Sequence, residues 1–289
     1  MSAQAAPAHS ARGAAEELAP GPRPRRLAIG IDYDGRAYGG WQVQPGTASV
    51  QAALEAALAR VADAPVALIC AGRTDAGVHA RAQVAHFDTP AVRSSRGWLL
   101  GANTLLPEDI SLQWVQRVPG HFHARYSALS RTYRYLILNR AARSALAAGR
   151  ALCVHQGLDV EAMRRAAQWL VGEHDFSAFR SVQCQSRSPV RILQRLDAER
   201  SGDWVTIEAT ANAFLHHMVR NLVGLLLAVG VARVPPEHAR ERVEAPRRDA
   251  HIVTAPACGL YLWRIDYPPQ FGLPADSAMM PAVIPQGPV

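Results

Sequence analysis

PVALICAGRTDAGVHARAQVAHFDT, residues 65–89, runs from one apolar segment to another through a polar turn. Val66 to Ala71 reads as a buried strand, and Gln83 to Phe87 as a second strand leading away. Gly72 and Gly77 bracket the turn between them, and glycine permits tight or left-handed backbone. Asp75 is therefore offered from a short loop held by two packed strands, a common placement for a reactive side chain. Turn chemistry alone serves as well for a solvated aspartate, the usual occupant of such a loop.

The chain around this turn has 289 residues, 49% of them hydrophobic, enough for one large or two ordinary domains. The formal net charge is +7. A basic balance points to an anionic partner, nucleic acid before membrane, although a merely basic soluble protein has the same composition. All 31 basic residues are arginine. The lack of lysine excludes a Schiff base, a phosphate-loop lysine and a Ser-Lys dyad. The four cysteines, Cys70, Cys153, Cys184 and Cys258, form no C-x-x-C pair and suggest neither a zinc site nor a disulfide framework. No secretory segment opens the chain and no apolar run reaches transmembrane length, so a cytoplasmic protein is expected.

Residues 1–26 are rich in Ala, Pro, Gly and Arg without periodicity and read as a disordered arm. Leu27 to Tyr33 alternates as a strand. Ser49 caps a helix with Val50, Leu54, Ala57, Leu58 and Val61 at helical spacing. A second helix is expected over Ser94–Leu105, a strand over Ile110–Val118, and a strand from Arg131 to Leu138 with Tyr133 and Tyr135 on one face. Asp159 caps another helix. A Ser-Gly-Asp turn joins strands Val190–Arg200 and Trp204–Ala211. Asn212 is read as opening a long helix to Val229, apolar nearly all round in its second half. Arg220 on that helix enters or borders a core and calls for an acid partner, unless it snorkels to solvent. His216 and His217 lack the H-E-x-x-H spacing and read as structural. Residues 233–250 read as one weak helix and a loop, a last strand runs from Tyr261 to Tyr267, and the Pro-rich tail from Pro268 reads as disordered. Strands and helices mix without strict alternation. That argues an α+β fold of two lobes, residues 27–120 and 121–267, with mixed, mainly antiparallel sheets flanked by helices.

CAGRTDAGVHA followed by QVAHF, residues 70–80 and 83–87, resembles the signature of tRNA pseudouridine synthases of the TruA family. The resemblance continues through YDG…GWQ…Q at 33–44, FHARYSA at 122–128, RTYRY at 131–135, GEHDFSAF at 172–179 and TAPACGL at 254–260. It spans about Leu27 to Tyr267. Gly40 departs from the family pattern and is expected to lie away from the site.

The resemblance implies a pseudouridine synthase fold and isomerisation of uridine to pseudouridine in the anticodon stem-loop of tRNA, at tRNA positions 38, 39 and 40. It implies a flipped target base, because a stacked uridine is out of reach of an active-site carboxylate. Asp75 becomes the nucleophile or essential carboxylate, and Arg220 its ion-pair partner. Tyr133 stacks on the uracil and moves the C5 proton, and Leu260 packs on the flipped base. Arg73 intrudes to hold the flipped state, and Arg93 is a further tRNA contact. Phe122, His123, Ala124, Arg125 and Tyr126 form one RNA-contact segment, and Gln183, Cys184, Gln185, Ser186 and Arg187 another. The family works as a homodimer, without cofactor or metal, and not at a membrane. Two other readings stay open on residues alone. Asp32-Tyr33-Asp34-Gly35 after an apolar strand looks like the D-x-D-G of haloacid-dehalogenase-type phosphatases, which are magnesium hydrolases. A non-catalytic RNA-binding protein also suits the basic charge.

Overall fold

The computed structural model describes residues 24–246 and 252–274. The chain forms β1 (Arg25–Tyr33), α1 (Val50–Ala62), β2 (Ile69–Cys70), β3 (His79–Thr89), α2 (Ser95–Leu105), β4 (Ile110–Arg117) and β5 (Ser130–Asn139). It continues through β6 (Leu152–Val154), α3 (Val160–Gln168), β7 (Gly172–Asp175), β8 (Val190–Ser201) and β9 (Trp204–Ala211). It ends with α4 (Met218–Gly230), α5 (His238–Glu244) and β10 (Leu260–Asp266). Eight strands lie in the order β4-β1-β3-β10-β5-β9-β8-β7, with β2 beside β3 and β6 beside β5. Pairing is antiparallel except β3 with β10 and β5 with β6. The fold is α+β with a mixed, mainly antiparallel sheet. The boundary expected near residue 120 falls between β4 and β5, and the sheet runs on across it. Its halves join where Tyr261 on β10 lies opposite His79 on β3.

Strand alternation explains the layering. Leu27, Ile29, Ile31 and Tyr33 of β1 and Tyr133, Tyr135 and Ile137 of β5 enter one continuous core with Leu54 and Leu58 of α1, Trp98 of α2, Met163 of α3 and Leu222 of α4. All helices therefore supply apolar residues to one core beside the sheet. Ala28 and Val84 point the other way and pack with Phe122 and Phe271. Ser49 Oγ accepts from Ala52 N at α1 and Asp159 Oδ1 from Ala162 N at α3, so both expected caps are made; Ser94, expected as the first residue of its helix, instead caps α2, its Oγ accepting from Gly97 N.

The structure corrects four expectations. First, α4 begins at Met218, not Asn212. The Asn212 Oδ1 accepts from Ile192 N and Ala213 N, which ties it to β8, and residues 212–217 run as a loop. Second, Arg25 and Arg26 belong to β1 and not to a disordered arm: Arg26 donates to both oxygens of Asp88 at 2.8 and 2.6 Å. The rest of that arm, residues 1–23, lies outside the described residues. Third, the start of the tail is ordered. Phe271 is buried beneath Phe122, and Gln116 Nε2 donates to Gly272 O at 2.9 Å. Residues 275–289 lie outside the described residues. Fourth, Gly40 is not remote from the Asp75 turn but bridges to it. Of the weak helix and loop expected at 233–250, α5 is present and residues 247–251 lie outside the described residues.

Candidate active site

The turn carrying Asp75 is latched from several directions. Gln83 Nε2 donates to Gly72 O at 2.6 Å, and Arg131 Nη2 donates to Ala71 O at 3.1 Å. The Tyr33 and Thr74 hydroxyls share a buried hydrogen bond of 2.8 Å. Trp41 N donates to Thr74 O at 3.0 Å, and Gly77 N to Tyr38 O at 3.3 Å. Val78 N closes the turn onto Asp75 O at 3.1 Å. Gly77 has φ +75°, in the left-handed region that a side chain disfavours. Gly40, at φ +105°, lets the neighbouring backbone approach: a Cβ there would stand 2.6 Å from Thr74 O. The YDG…GWQ segment and the Asp75 turn are thus one packed unit.

Asp75 is half-buried and faces three nitrogen-bearing side chains. Arg220 Nη1 donates to Oδ2 at 3.4 Å. His217 Nε2 lies 3.3 Å from the same oxygen, and His216 Nε2 lies 3.2 Å from Oδ1. Arg220 reaches the carboxylate from the first turn of α4, as the demand for an acid partner foretold. Its Nε also donates to Ala255 O at 2.7 Å, while Ala255 N donates to Arg220 O at 3.1 Å. That reciprocal clasp fixes the guanidinium plane before any substrate arrives. Both histidines, expected to be structural, face the carboxylate. The H-E-x-x-H template looks for ligands within one helix and misses a partner on a distant loop. The available signal was their place just before Arg220, whose partner is Asp75.

Asp75, His216 and His217 form the group of ligand-type side chains among the described residues that could hold a metal ion, their ligand atoms lying within 4.8 Å of one another. Arg220 already brings a permanent positive charge to Oδ2, which opposes a cation at that position.

Tyr133 on β5 is buried, with its ring edge-on to Phe214 at 5.2 Å between centroids. A methyl placed on Gly72 would lie 3.7 Å from its hydroxyl, so the phenol borders the Asp75 turn. Burial, and then the charge of Asp75, hold this phenol well above the ordinary tyrosine range. Leu260 is buried at the start of β10, opposite Tyr135, whose hydroxyl donates to Pro256 O at 2.8 Å. Asn221 joins two motif blocks: its Nδ2 donates to Phe179 O at 2.6 Å and its Oδ1 accepts from Thr254 Oγ1 at 2.6 Å. Burial pushes the neighbouring His79 below the usual imidazole range, and its Nδ1 accepts from Gly35 N at 3.2 Å.

Arg73 and Arg93 are exposed, as are Arg125, Tyr126, Gln183, Gln185 and Arg187. Phe122 and Ala124 are fully buried, which removes their side chains from the expected contact set. They anchor the loop that presents His123, Arg125 and Tyr126. His123 packs on Tyr126 at 4.3 Å between ring centroids, with Tyr126 75% exposed. Cys184 packs partly against the core, and Ser186 Oγ accepts from Arg191 Nη2 at 2.7 Å. Asp32 accepts from Gln113 Nε2 at 2.7 Å, and Asp34 faces Arg36, Arg150 and His79. These contacts do not supply the distal acid pair that phosphatase chemistry would need.

A carboxylate on a braced turn, an arginine fixed against it and a buried tyrosine beside it make this cluster the candidate active site. Residues 30–127 and 166–268 match the family model described as tRNA pseudouridine synthase. The chain is 56% identical over 252 residues to "tRNA pseudouridine synthase A" of Methylococcus capsulatus, covering 87% of this chain and 93% of that one. It is 52% identical over 249 residues to the protein of the same name from Nitrosococcus oceani, covering 86% and 96%. To the protein of that name from Cronobacter sakazakii it is 50% identical over 249 residues, covering 86% and 92%. The chain belongs to the tRNA pseudouridine synthase family. It is an isomerase that converts uridine to pseudouridine in tRNA.

Proposed function

We propose that the substrate uridines lie in the anticodon stem-loop of tRNA and that Asp75 is the nucleophile. The observation that carries this reading is the Asp75–Arg220 pair on a turn latched to β1, β3 and the Gly39–Trp41 segment. The Arg220 guanidinium fixes and orients the carboxylate, and a positioned carboxylate oxygen is what attack on a flipped nucleotide needs. The N1–C1′ bond breaks, the uracil turns over, and C5 joins C1′. No electrons are gained or lost, so the reaction asks for no cofactor. Tyr133 supports the uracil from the side of β5, and Leu260 supplies an apolar floor. Arg73 holds the vacated stack. Arg93, Arg125 and Arg187 take phosphates, Tyr126 offers an exposed ring to a base, and Gln183, Gln185 and Ser186 offer polar contacts to ribose. The active unit is a homodimer that grips one tRNA with both protomers, and it works in the cytoplasm. No helix among the described residues is long and apolar enough to cross a membrane.

Chemical mapping of pseudouridine in tRNA from cells lacking the protein tests the substrate assignment. Loss confined to the anticodon stem-loop, restored by the purified protein in excess EDTA, is the expected result. Loss elsewhere in tRNA, or an EDTA-sensitive activity, overturns it.

A further inference from the structure

We propose that His216 is a catalytic proton shuttle, taking the proton from C5 of the turned uracil and delivering one to N1. The proposal rests on the reading of Asp75 as the reacting carboxylate. Once C5 has bonded to C1′, that carbon carries both the ribose and a hydrogen. A base must take the hydrogen so that its electron pair restores the C5–C6 double bond. N1, released when the glycosidic bond broke, must end with a hydrogen of its own. An imidazole that accepts the first proton and donates the second returns to its starting state, so no further reactant is needed.

The two oxygens of Asp75 are not equivalent. Oδ2 is held by Arg220 at 3.4 Å and flanked by His217 at 3.3 Å. Oδ1 faces His216 at 3.2 Å. With Arg220 fixed by Ala255, Oδ2 is committed to the guanidinium, and Oδ1 is the oxygen left to meet a carbon. His216 therefore flanks the reacting oxygen, within reach of a base bonded or pressed against it. Its side chain is 35% exposed, open to an incoming nucleotide. Its carbonyl accepts from Ser181 N at 2.9 Å, and its ring lies 4.1 Å from that of His217. The chain holds this arrangement at a cost. His217 is the N-cap of α4 with φ +63°, a left-handed backbone rare outside glycine. Its side chain makes no capping bond to the helix and is turned toward Asp75 instead. His217 thus acts as a positioning residue, and His216 as the group at the reacting atoms. Tyr133 is the other candidate for the C5 proton. Its buried phenol, held strongly protonated beside Asp75, is a poor acceptor near neutral pH.

The test uses single-turnover pseudouridine formation on full-length tRNA with His216→Ala and His216→Gln, each checked for unchanged melting. Losing a general acid–base group predicts a fall of about 10²-fold or more, with tRNA affinity retained. Deuterium at C5 of the uridine slows both variants further, and added imidazole restores part of the His216→Ala rate. Rates within about threefold of wild type in both variants overturn the proposal. So does a loss that tracks tRNA affinity, or one with neither an isotope effect nor rescue, which would leave His216 a purely electrostatic neighbour. If Asp75→Asn retains full turnover, the reading of Asp75 fails first, and that outcome is distinct from any of these.

Discussion

Replacing Gly40 by alanine probes how closely the Asp75 turn must be placed. Gly40 sits at φ +105°, and its missing Cβ would stand 2.6 Å from Thr74 O and 3.0 Å from the Asp75 carbonyl carbon. Both obstacles are backbone, so neither can swing aside. Ordinary contact begins at 3.4 Å, so the turn must move by about 0.8 Å or the Gly39–Trp41 segment must recoil. The unfavourable backbone adds about 1–3 kcal/mol of strain. A displacement of that size carries Asp75 relative to Arg220, which Ala255 holds in place. A misplacement of about 1 Å costs up to ~10²-fold in rate. Gly40→Ala is therefore expected to lower single-turnover pseudouridine formation by about 10- to 100-fold, with tRNA affinity little changed. Gly46→Ala is the matched control. Gly46 also has positive φ, +70°, but nothing lies within 4 Å of its Cβ position. It should lose some stability and keep its rate. A Gly40→Ala enzyme as fast as wild type, or a Gly46→Ala enzyme equally slow, would refute the argument from turn placement.

Tyr133→Phe keeps a ring beside the Asp75 turn and removes only the hydroxyl. It is expected to bind tRNA normally and keep most of its single-turnover rate, because His216 and not the phenol takes the C5 proton; loss of most turnover would return that proton to Tyr133. If Arg93, Arg125 and Arg187 meet phosphates, the logarithm of tRNA affinity falls linearly with the logarithm of salt. The slope is about −0.9 per duplex contact and about −0.7 per single-strand contact, and each Arg→Ala change makes it shallower; a flat response in binding titrations refutes a phosphate-tracking surface. His86 is buried, with its Nδ1 accepting from Ala124 N at 3.1 Å, and burial and then Arg26 push its imidazole down to about 4. The unfolded chain takes up that proton first, so stability present above about pH 6.5 is lost as pH falls toward 4, by up to ~3 kcal/mol. His86→Gln should flatten this acid limb in denaturant titrations, and an unchanged limb would assign it to other groups.

Much of this architecture is legible in the residues because strand alternation and N-caps are local signals. Leu27–Tyr33, the Ser-Gly-Asp hairpin and the caps at Ser49 and Asp159 are of that kind. An arginine on an apolar helix demands an acid, so a partner for Arg220 was readable from the residues, but that it is Asp75, 145 positions away, came only from the family resemblance. What escaped depends on tertiary contacts. Asn212 to Leu215 have no helix-breaking residue, and the bonds from Asn212 to β8 and the left-handed backbone of His217 are contacts and geometry that no local pattern announces. Gly40 gives no sign in the sequence that Asp75 lies against it. Phe271, an aromatic in a Pro-rich stretch, was the available hint that the tail packs. His216 and His217 come together only when α4 and the Asp75 turn are placed side by side.

Asp75→Asn tests the central claim most directly. The amide keeps the shape of the carboxylate and removes its charge and nucleophilicity, so tRNA affinity should stay near wild type while pseudouridine formation disappears. Leaving Arg220 half-buried without its anion should also cost on the order of a few kcal/mol of stability. Asp34→Asn, at the acid that caps a turn beside Arg36, should stay active in the same assay. Mapping pseudouridine after single turnover of tRNA with the two variants, in excess EDTA, separates the outcomes. An inactive Asp75→Asn beside an active Asp34→Asn is the result expected. An active Asp75→Asn, or an Asp34→Asn that is dead while Asp75→Asn turns over, contradicts the assignment of this carboxylate as the reacting group.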